Sequence, residues 1–221
     1  MTNRISLAIA LAMLFLTPAC GRQVSLPPGP LADAVRDAKD SGKTEATVRI
    51  TGEGYVPAGG LARIVGQYSV IVATVDQAEP VVVAERYIRT WYRLRVSERL
   101  TAHSPAEFPP CAAEEPPPSL RLKSEQLALP VLGGAVVVHG VKLISQSPQS
   151  SIHFVGADQL VAIVNICATG VALLPFGAEG LFHVRPDGTL QTDLDADAPW
   201  VSEMGTPPTL AALRRWIQDK R

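Results

Sequence analysis

Aromatic residues make up only 5% of this 221-residue chain, histidines number four, cysteines three, and the formal net charge is −1. Each shortage excludes something. A chain this close to neutral has no global electrostatic pull toward nucleic acid. The histidines, His103, His139, His153 and His183, are spread over eighty positions. Zinc sites place ligands two to five residues apart, so no metal site is expected. Asp193, Asp195 and Asp197 alternate, but Ala198 stands where a calcium loop needs glycine and Met204 where it needs a glutamate. No Gly-x-Ser-x-Gly elbow occurs, and Ser145, Ser147, Ser150 and Ser151 read as one polar turn. Gly59-Gly60 and Gly133-Gly134 match neither a P-loop nor a dinucleotide fingerprint, so no cofactor is expected. The uncharged run Ile5–Leu16 is twelve residues, too short for a bilayer core about 30 Å thick.

That run has another use. Arg4 precedes it, and Thr17, Pro18 and Ala19 lead into Cys20. A charged start, a short apolar middle and a small-residue exit make a secretory signal over residues 1–19. Thr17-Pro18-Ala19-Cys20 resembles the bacterial lipoprotein signal; Ala19-Cys20 fits its pattern, while Thr17 replaces the usual Leu and Pro18 is uncommon there. The resemblance implies acylation of Cys20 and a membrane partner reached through a lipid anchor, each buried methylene adding about 0.8 kcal/mol. Gly21 after the cysteine implies outer-membrane sorting, facing the periplasm or the cell surface. Ordinary cleavage after a small residue is the other reading.

Removing residues 1–19 leaves 202 and takes away one arginine and no acid, so the net charge becomes −2. With 47% apolar residues this is enough for a real core in one large or two small domains. If Cys20 carries lipid, Cys111 and Cys167 remain as a pair, suited to a bridge in an oxidising compartment. Such a bridge would stabilise by about 4 kcal/mol in the chain-entropy model. The alternative is two thiols, with Cys167 an ordinary core residue of the run Leu160–Ala168.

Nineteen prolines and seventeen glycines, with few helical patterns, favour strands and turns. Residues 20–45 read as a tether and a short helix over Leu31–Asp40, stopped by Ser41-Gly42. Residues 46–197 read as a β-domain. Its expected strands are Ala46–Thr51, Tyr68–Val75, Ile88–Leu100, Ala135–Ile144, Ser151–Val155 and Gln159–Cys167, with a hairpin of Gly180–Val184 and Thr189–Gln191 around Pro186-Asp187-Gly188. Six prolines between 104 and 118 require a surface loop there, which a Cys111 bridge would pin. At the C-terminal end, 206–221, Thr206-Pro207 fits an N-cap and first helical position, and Leu210, Leu213, Trp216 and Ile217 form an apolar helical stripe that would pack on the β-domain.

Ile88–Leu100 alternates most clearly. Ile88, Thr90, Tyr92, Leu94, Val96 and Leu100 are expected to point one way; Arg89, Trp91, Arg93, Arg95, Ser97 and Arg99 the other. Guanidinium groups interleaved with an indole suit an anionic partner, an envelope polymer or an acidic protein surface. The plain alternative is a solvated face neutralised by nearby acids.

The succession Val70–Val75, Thr90-Trp91-Tyr92 through Leu100, Gly133-Gly134, Val155-Gly156 through Leu160-Val161 and Phe182-His183-Val184-Arg185-Pro186-Asp187-Gly188 resembles a group of uncharacterised exported bacterial proteins. The match covers about residues 60–192, and its layout is similar to a small closed or partly open barrel of the OB or netrin-like kind. Netrin-like inhibitors grip zinc with a free N-terminal cysteine amine, which acylation of Cys20 would exclude. The function expected is therefore a membrane-tethered binding or scaffolding module, mainly β with a short N-terminal and a C-terminal helix. The competing class is an envelope enzyme, hydrolase-like, with a site assembled from distant residues; a cleft joining two histidines and an acid would favour it.

Overall fold

The computed structural model describes residues 26–49, 60–83, 86–101, 111, 115–146, 154–192 and 199–220. Cys20, His103, His153, Asp193, Asp195, Asp197 and most of the loop 104–118 lie outside them. The fold is mainly β, with 45% strand and 21% helix.

Helix α1 (Pro30–Asp40) starts on a proline, whose missing N–H costs nothing at a helix start. It buries Leu31, Val35 and Ala38, one face at helical spacing. That face covers a three-stranded sheet of order β1-β6-β5, from β1 (Glu45–Arg49), β5 (Gly134–Val138) and β6 (Val141–Gln146), with β1 parallel to β6. The segment Ala135–Ile144, expected as one strand, is a hairpin. His139 (φ 50°) and Gly140 (φ 82°) both take positive φ, as a two-residue type I′ turn demands. Ser145, expected in a polar turn, sits buried in β6.

The larger sheet is antiparallel throughout, in the order β10-β9-β7-β2-β3-β4, with β8 beside β7. Its strands are β2 (Ser69–Val83), β3 (Tyr87–Arg99), β4 (Gln126–Leu132), β7 (Gln159–Ile166), β8 (Ala172–Leu173), β9 (Leu181–Val184) and β10 (Leu190–Gln191). Strand β2 is central and apolar on both faces. Val70 and Val72 pack with Val161, Ile163 and Phe182 under α2 (Leu61–Gln67), α3 (Pro199–Ser202) and α4 (Leu210–Asp219). Ile71, Ala73 and Val75 point the opposite way, into a second core with Tyr92, Leu94, Leu129, Phe154 and Leu160. Each such buried side chain is worth roughly 1.5–3 kcal/mol. The sheet is not closed into a barrel; β4 meets the segment before β8 only through the isolated bridge Ala128–Val171.

Helix α4 packs through Leu210, Leu213 and Ile217, as the stripe implied. Its cap differs from expectation: the Thr209 hydroxyl, not Thr206, accepts from Ala212 N at 3.1 Å. Gly133-Gly134 carries the chain from β4 into β5. Gly134 (φ 134°) lies so close to Thr90 that a Cβ would stand 2.2 Å from Thr90 Oγ1, and that hydroxyl donates to Gly133 O at 2.7 Å.

Candidate functional site

The outer face of β3 holds four of the five residues singled out by alternation, Arg89, Trp91, Arg93 and Arg95. A register shift at Ser97 pairs Arg99 with Ile71 and turns it to the opposite face, and it sends Leu100 into the first core instead of the second. Arg95 and Arg99 are exposed, Arg89 and Arg93 half-buried, and Trp91 is only 4% exposed. Alternation does send Trp91 outward. It is then covered by Leu120 and Cys167, with Ala128 and Val171 beside it and Cys111 and Leu122 at the margin. The expected solvent-accessible indole is therefore corrected: a loop distant in sequence buries it. That loop is fastened by the disulfide Cys111–Cys167, Cα–Cα 5.6 Å, across a separation of 56 residues.

One arginine of the face is neutralised by an acid. Arg95 is ion-paired with Asp76, its Nε donating to Oδ1 at 3.1 Å, and Gln126 Nε2 donates to Asp76 Oδ2 at 2.8 Å. The Arg95 hydrogen bond, helped by Gln126 and by the charges of Arg95 and Arg93, holds the Asp76 carboxyl below its usual range against the effect of burial. Arg89 lies over the Tyr87 ring, 5.9 Å from its centroid. Glu79, opposite Trp91 in the β2–β3 register, accepts from the Ser119 hydroxyl through Oε1. Two atoms of this face are buried without a hydrogen-bond partner, Glu79 Oε2 and Arg93 Nε. Leaving a buried donor or acceptor unmade costs about 1–3 kcal/mol, so both call for an explanation.

A second assembly has no counterpart in the sequence reading. An open cleft of roughly 500 Å³ is lined by Asp158, Gln159, His183, Arg185, Arg214 and the turn around Gly188. Three elements build it: the start of β7, the β9–β10 hairpin and α4. His183 Nε2 lies 3.6 Å from Asp158 Oδ1. Asp158 is itself fixed by Val155 N, which donates to Oδ2 at 2.7 Å. Phe154 packs edge-on to both His183, with centroids 5.9 Å apart, and Tyr92, at 5.7 Å. Burial raises the Tyr92 hydroxyl above its usual range; the Phe154 backbone works against this and the Asp158 charge adds to it.

The two arginines differ. Arg214 is ion-paired with Glu98, Nε to Oε2 at 2.9 Å. Arg185 is held by the neutral Gln191 side chain, whose Oε1 accepts from Nε at 3.2 Å and from Nη2 at 3.1 Å. Among the described residues no carboxylate forms an ion pair with Arg185. Asp187, on the hairpin, accepts from Thr189 N at 2.9 Å, which is the main reason its carboxyl sits below the usual range. The cleft thus brings one histidine to one acid rather than two, and its lining includes no Ser, Thr or Cys nucleophile. Residue spacing gave no sign of it, because Arg185 and Arg214 come from different elements.

Among the described residues no group of three or more His, Cys, Asp or Glu could hold a metal ion, and no helix is long and apolar enough to cross a membrane. Comparison with protein-family models, with curated proteins and with solved structures gave no match.

Proposed function

We propose that this chain is a membrane-tethered binding module of a bacterial cell envelope, and that it holds an acidic group of its partner in the cleft between the β9–β10 hairpin and α4. The observation that carries the reading is Arg185. Its guanidinium is oriented by a neutral amide and lines an open cleft together with Arg214. An arginine fixed in direction and without a direct ion pair among the described residues, the Asp187 charge acting on it only from a distance, is prepared for a carboxylate or phosphate, which the planar guanidinium meets with two parallel hydrogen bonds. Envelope location rests on residues 1–21, with their charged start, apolar run and Ala19-Cys20-Gly21. The partner is a polyanionic envelope polymer or an acidic protein surface.

The hydrolase reading draws only on the approach of His183 to Asp158. With no side-chain nucleophile in the lining, it has less support than binding.

Polyglutamate and polyphosphate serve as carboxylate and phosphate probes for the full chain. Arg185→Gln with Arg214→Gln should raise the apparent Kd for at least one probe tenfold or more, with unchanged circular dichroism. Equal binding by wild type and the double variant would reject the cleft as the site. Mass spectrometry of the cell-derived protein checks the tether separately: a diacylglyceryl mass on Cys20, absent in Cys20→Ala, is expected.

A further inference from the structure

We propose that the segment 115–122 is a lid held shut by the Cys111–Cys167 bridge, and that reduction of this bridge uncovers a second binding surface, Trp91 flanked by Arg89 and Arg93, for a carboxylated polysaccharide. The surface is separate from the cleft described above and does not depend on it.

Four observations lead here. Trp91 belongs to neither of the two large cores; it stands on the outer face of β3 in a small cluster of its own, closed from above by Leu120 and the disulfide. The lid is lightly attached. Among the described residues no backbone hydrogen bond ties 115–122 to a strand; Leu120 N donates within the segment, to Pro117 O at 2.8 Å. Among the described residues its side-chain hydrogen bond to the sheet is Ser119 to Glu79, beside the apolar packing of Leu120 and Leu122. The face the lid covers is unfinished, since Arg93 Nε lacks an acceptor and Glu79 Oε2 lacks a donor. Finally, the bridge is reachable from one side: Cys111 is half-buried, whereas Cys167 is 3% exposed.

The chemistry of the covered face selects the ligand class. An indole offers a flat apolar surface to the C–H face of a sugar ring. Arg93 Nε, with Arg89 four residues away on the same face, suits a carboxylate. Glu79 Oε2 suits a sugar hydroxyl. A polymer of uronic acids supplies all three groups in each unit.

Opening is thiol–disulfide exchange with a dithiol reductant. One thiolate of the reductant attacks Cys111 Sγ, the Cys111–Cys167 bond breaks, and Cys167 leaves as a thiolate that takes up a proton. The second thiol of the reductant then displaces Cys111, which is protonated in turn. Two electrons pass, the chain gains two thiols, and the reductant ends as a disulfide.

The test uses the full chain, oxidised and reduced with dithiothreitol, and the variant Cys111→Ser/Cys167→Ser. Trp200 and Trp216 also emit, so Trp91→Phe identifies the Trp91 signal. Acrylamide quenching should rise at least twofold on reduction, with unchanged far-UV circular dichroism, and the rise should vanish in Trp91→Phe. Alginate should bind the reduced chain and the Cys variant about tenfold more tightly than the oxidised chain. That gain should disappear in Trp91→Ala and survive in Arg185→Gln/Arg214→Gln. Quenching unchanged by reduction would overturn the proposal. So would loss of the β signal on reduction, which would make the bridge a plain staple, or a gain in alginate binding that needs the cleft arginines rather than Trp91.

Discussion

Replacing Gly134 by alanine should be among the most damaging single-methyl changes in this molecule. Two costs combine. Gly134 has φ of 134°, a region that L-residues avoid, and holding a side chain there costs about 1–3 kcal/mol. The new Cβ would also stand 2.2 Å from Thr90 Oγ1 and 3.3 Å from Ile88 Cγ2. Thr90 is 6% exposed and its hydroxyl donates to Gly133 O at 2.7 Å, so relieving the overlap means turning it away and losing that bond, about 1 kcal/mol. The sum is about 3 kcal/mol. For a domain of this size that lowers Tm by about 6–12 °C, readable by thermal circular dichroism. A double-mutant cycle separates the two costs. Thr90→Ala alone should lose about 1–1.5 kcal/mol, for the hydrogen bond. In that background Gly134→Ala should cost about 1 kcal/mol less, because the Thr90 Cβ is already 3.6 Å away and the strain remains alone. A Gly134→Ala variant within about 0.5 kcal/mol of wild type, or a cycle with no coupling, refutes the reasoning.

Tyr92 and Asp76 give pH dependences of opposite sign. The folded Tyr92 hydroxyl is raised above its unfolded value, so its contribution is complete below about pH 10 and is lost as pH rises through the folded pKa; Tyr92→Phe should flatten alkaline unfolding measured by fluorescence. The folded Asp76 carboxyl is lowered, so its contribution is present above the unfolded value of about 4 and is lost as pH falls through the folded pKa; Asp76→Asn should flatten the acid limb of a urea series, and an unchanged limb would remove the Arg95 pair as its cause. Glu203 caps α2 from far along the chain, its Oε1 accepting from Leu61 N at 3.2 Å, so Glu203→Ala should cost about 1 kcal/mol and lower Tm by about 2–4 °C. An undiminished Tm would show that the cap carries no weight.

What the sequence disclosed and what it hid follow from where each signal resides. Leu31, Val35 and Ala38 in α1, and Ile88, Tyr92 and Leu94 in β3, repeat with the period of their own element, so each was legible in a short window. Cys111 and Cys167 pair as the count allowed. Helix α2 was missed because its seven residues contain Gly66 and its cap comes from Glu203, 142 positions away. Strand β4 was missed because Pro130 argues against a strand; it is tolerated because β4 has a full ladder only with β3. Two strands were merged across His139-Gly140, a turn pair whose left-handed geometry is required only once β5 and β6 face each other. The β3 face misled for the same reason: alternation reports direction only up to the register shift at Ser97, which reverses Arg99 and Leu100, and cover of Trp91 depends on Leu120 and the disulfide. The cleft left no local trace at all, since Asp158, Arg185 and Arg214 meet only after the sheet has formed.

The place of α4 in the chain has a consequence for timing. Leu210 N bonds Gly188 O at 3.0 Å, Leu190 N bonds Pro208 O at 2.9 Å, and Arg214 reaches Glu98, so the final helix locks onto a hairpin and a strand made long before it. A chain that emerges N-terminus first can pair every strand of the larger sheet while one wall of the cleft is still missing. The cleft between the hairpin and α4 is therefore incomplete until α4 docks, so any ligand of that cleft would be bound after folding and not during it.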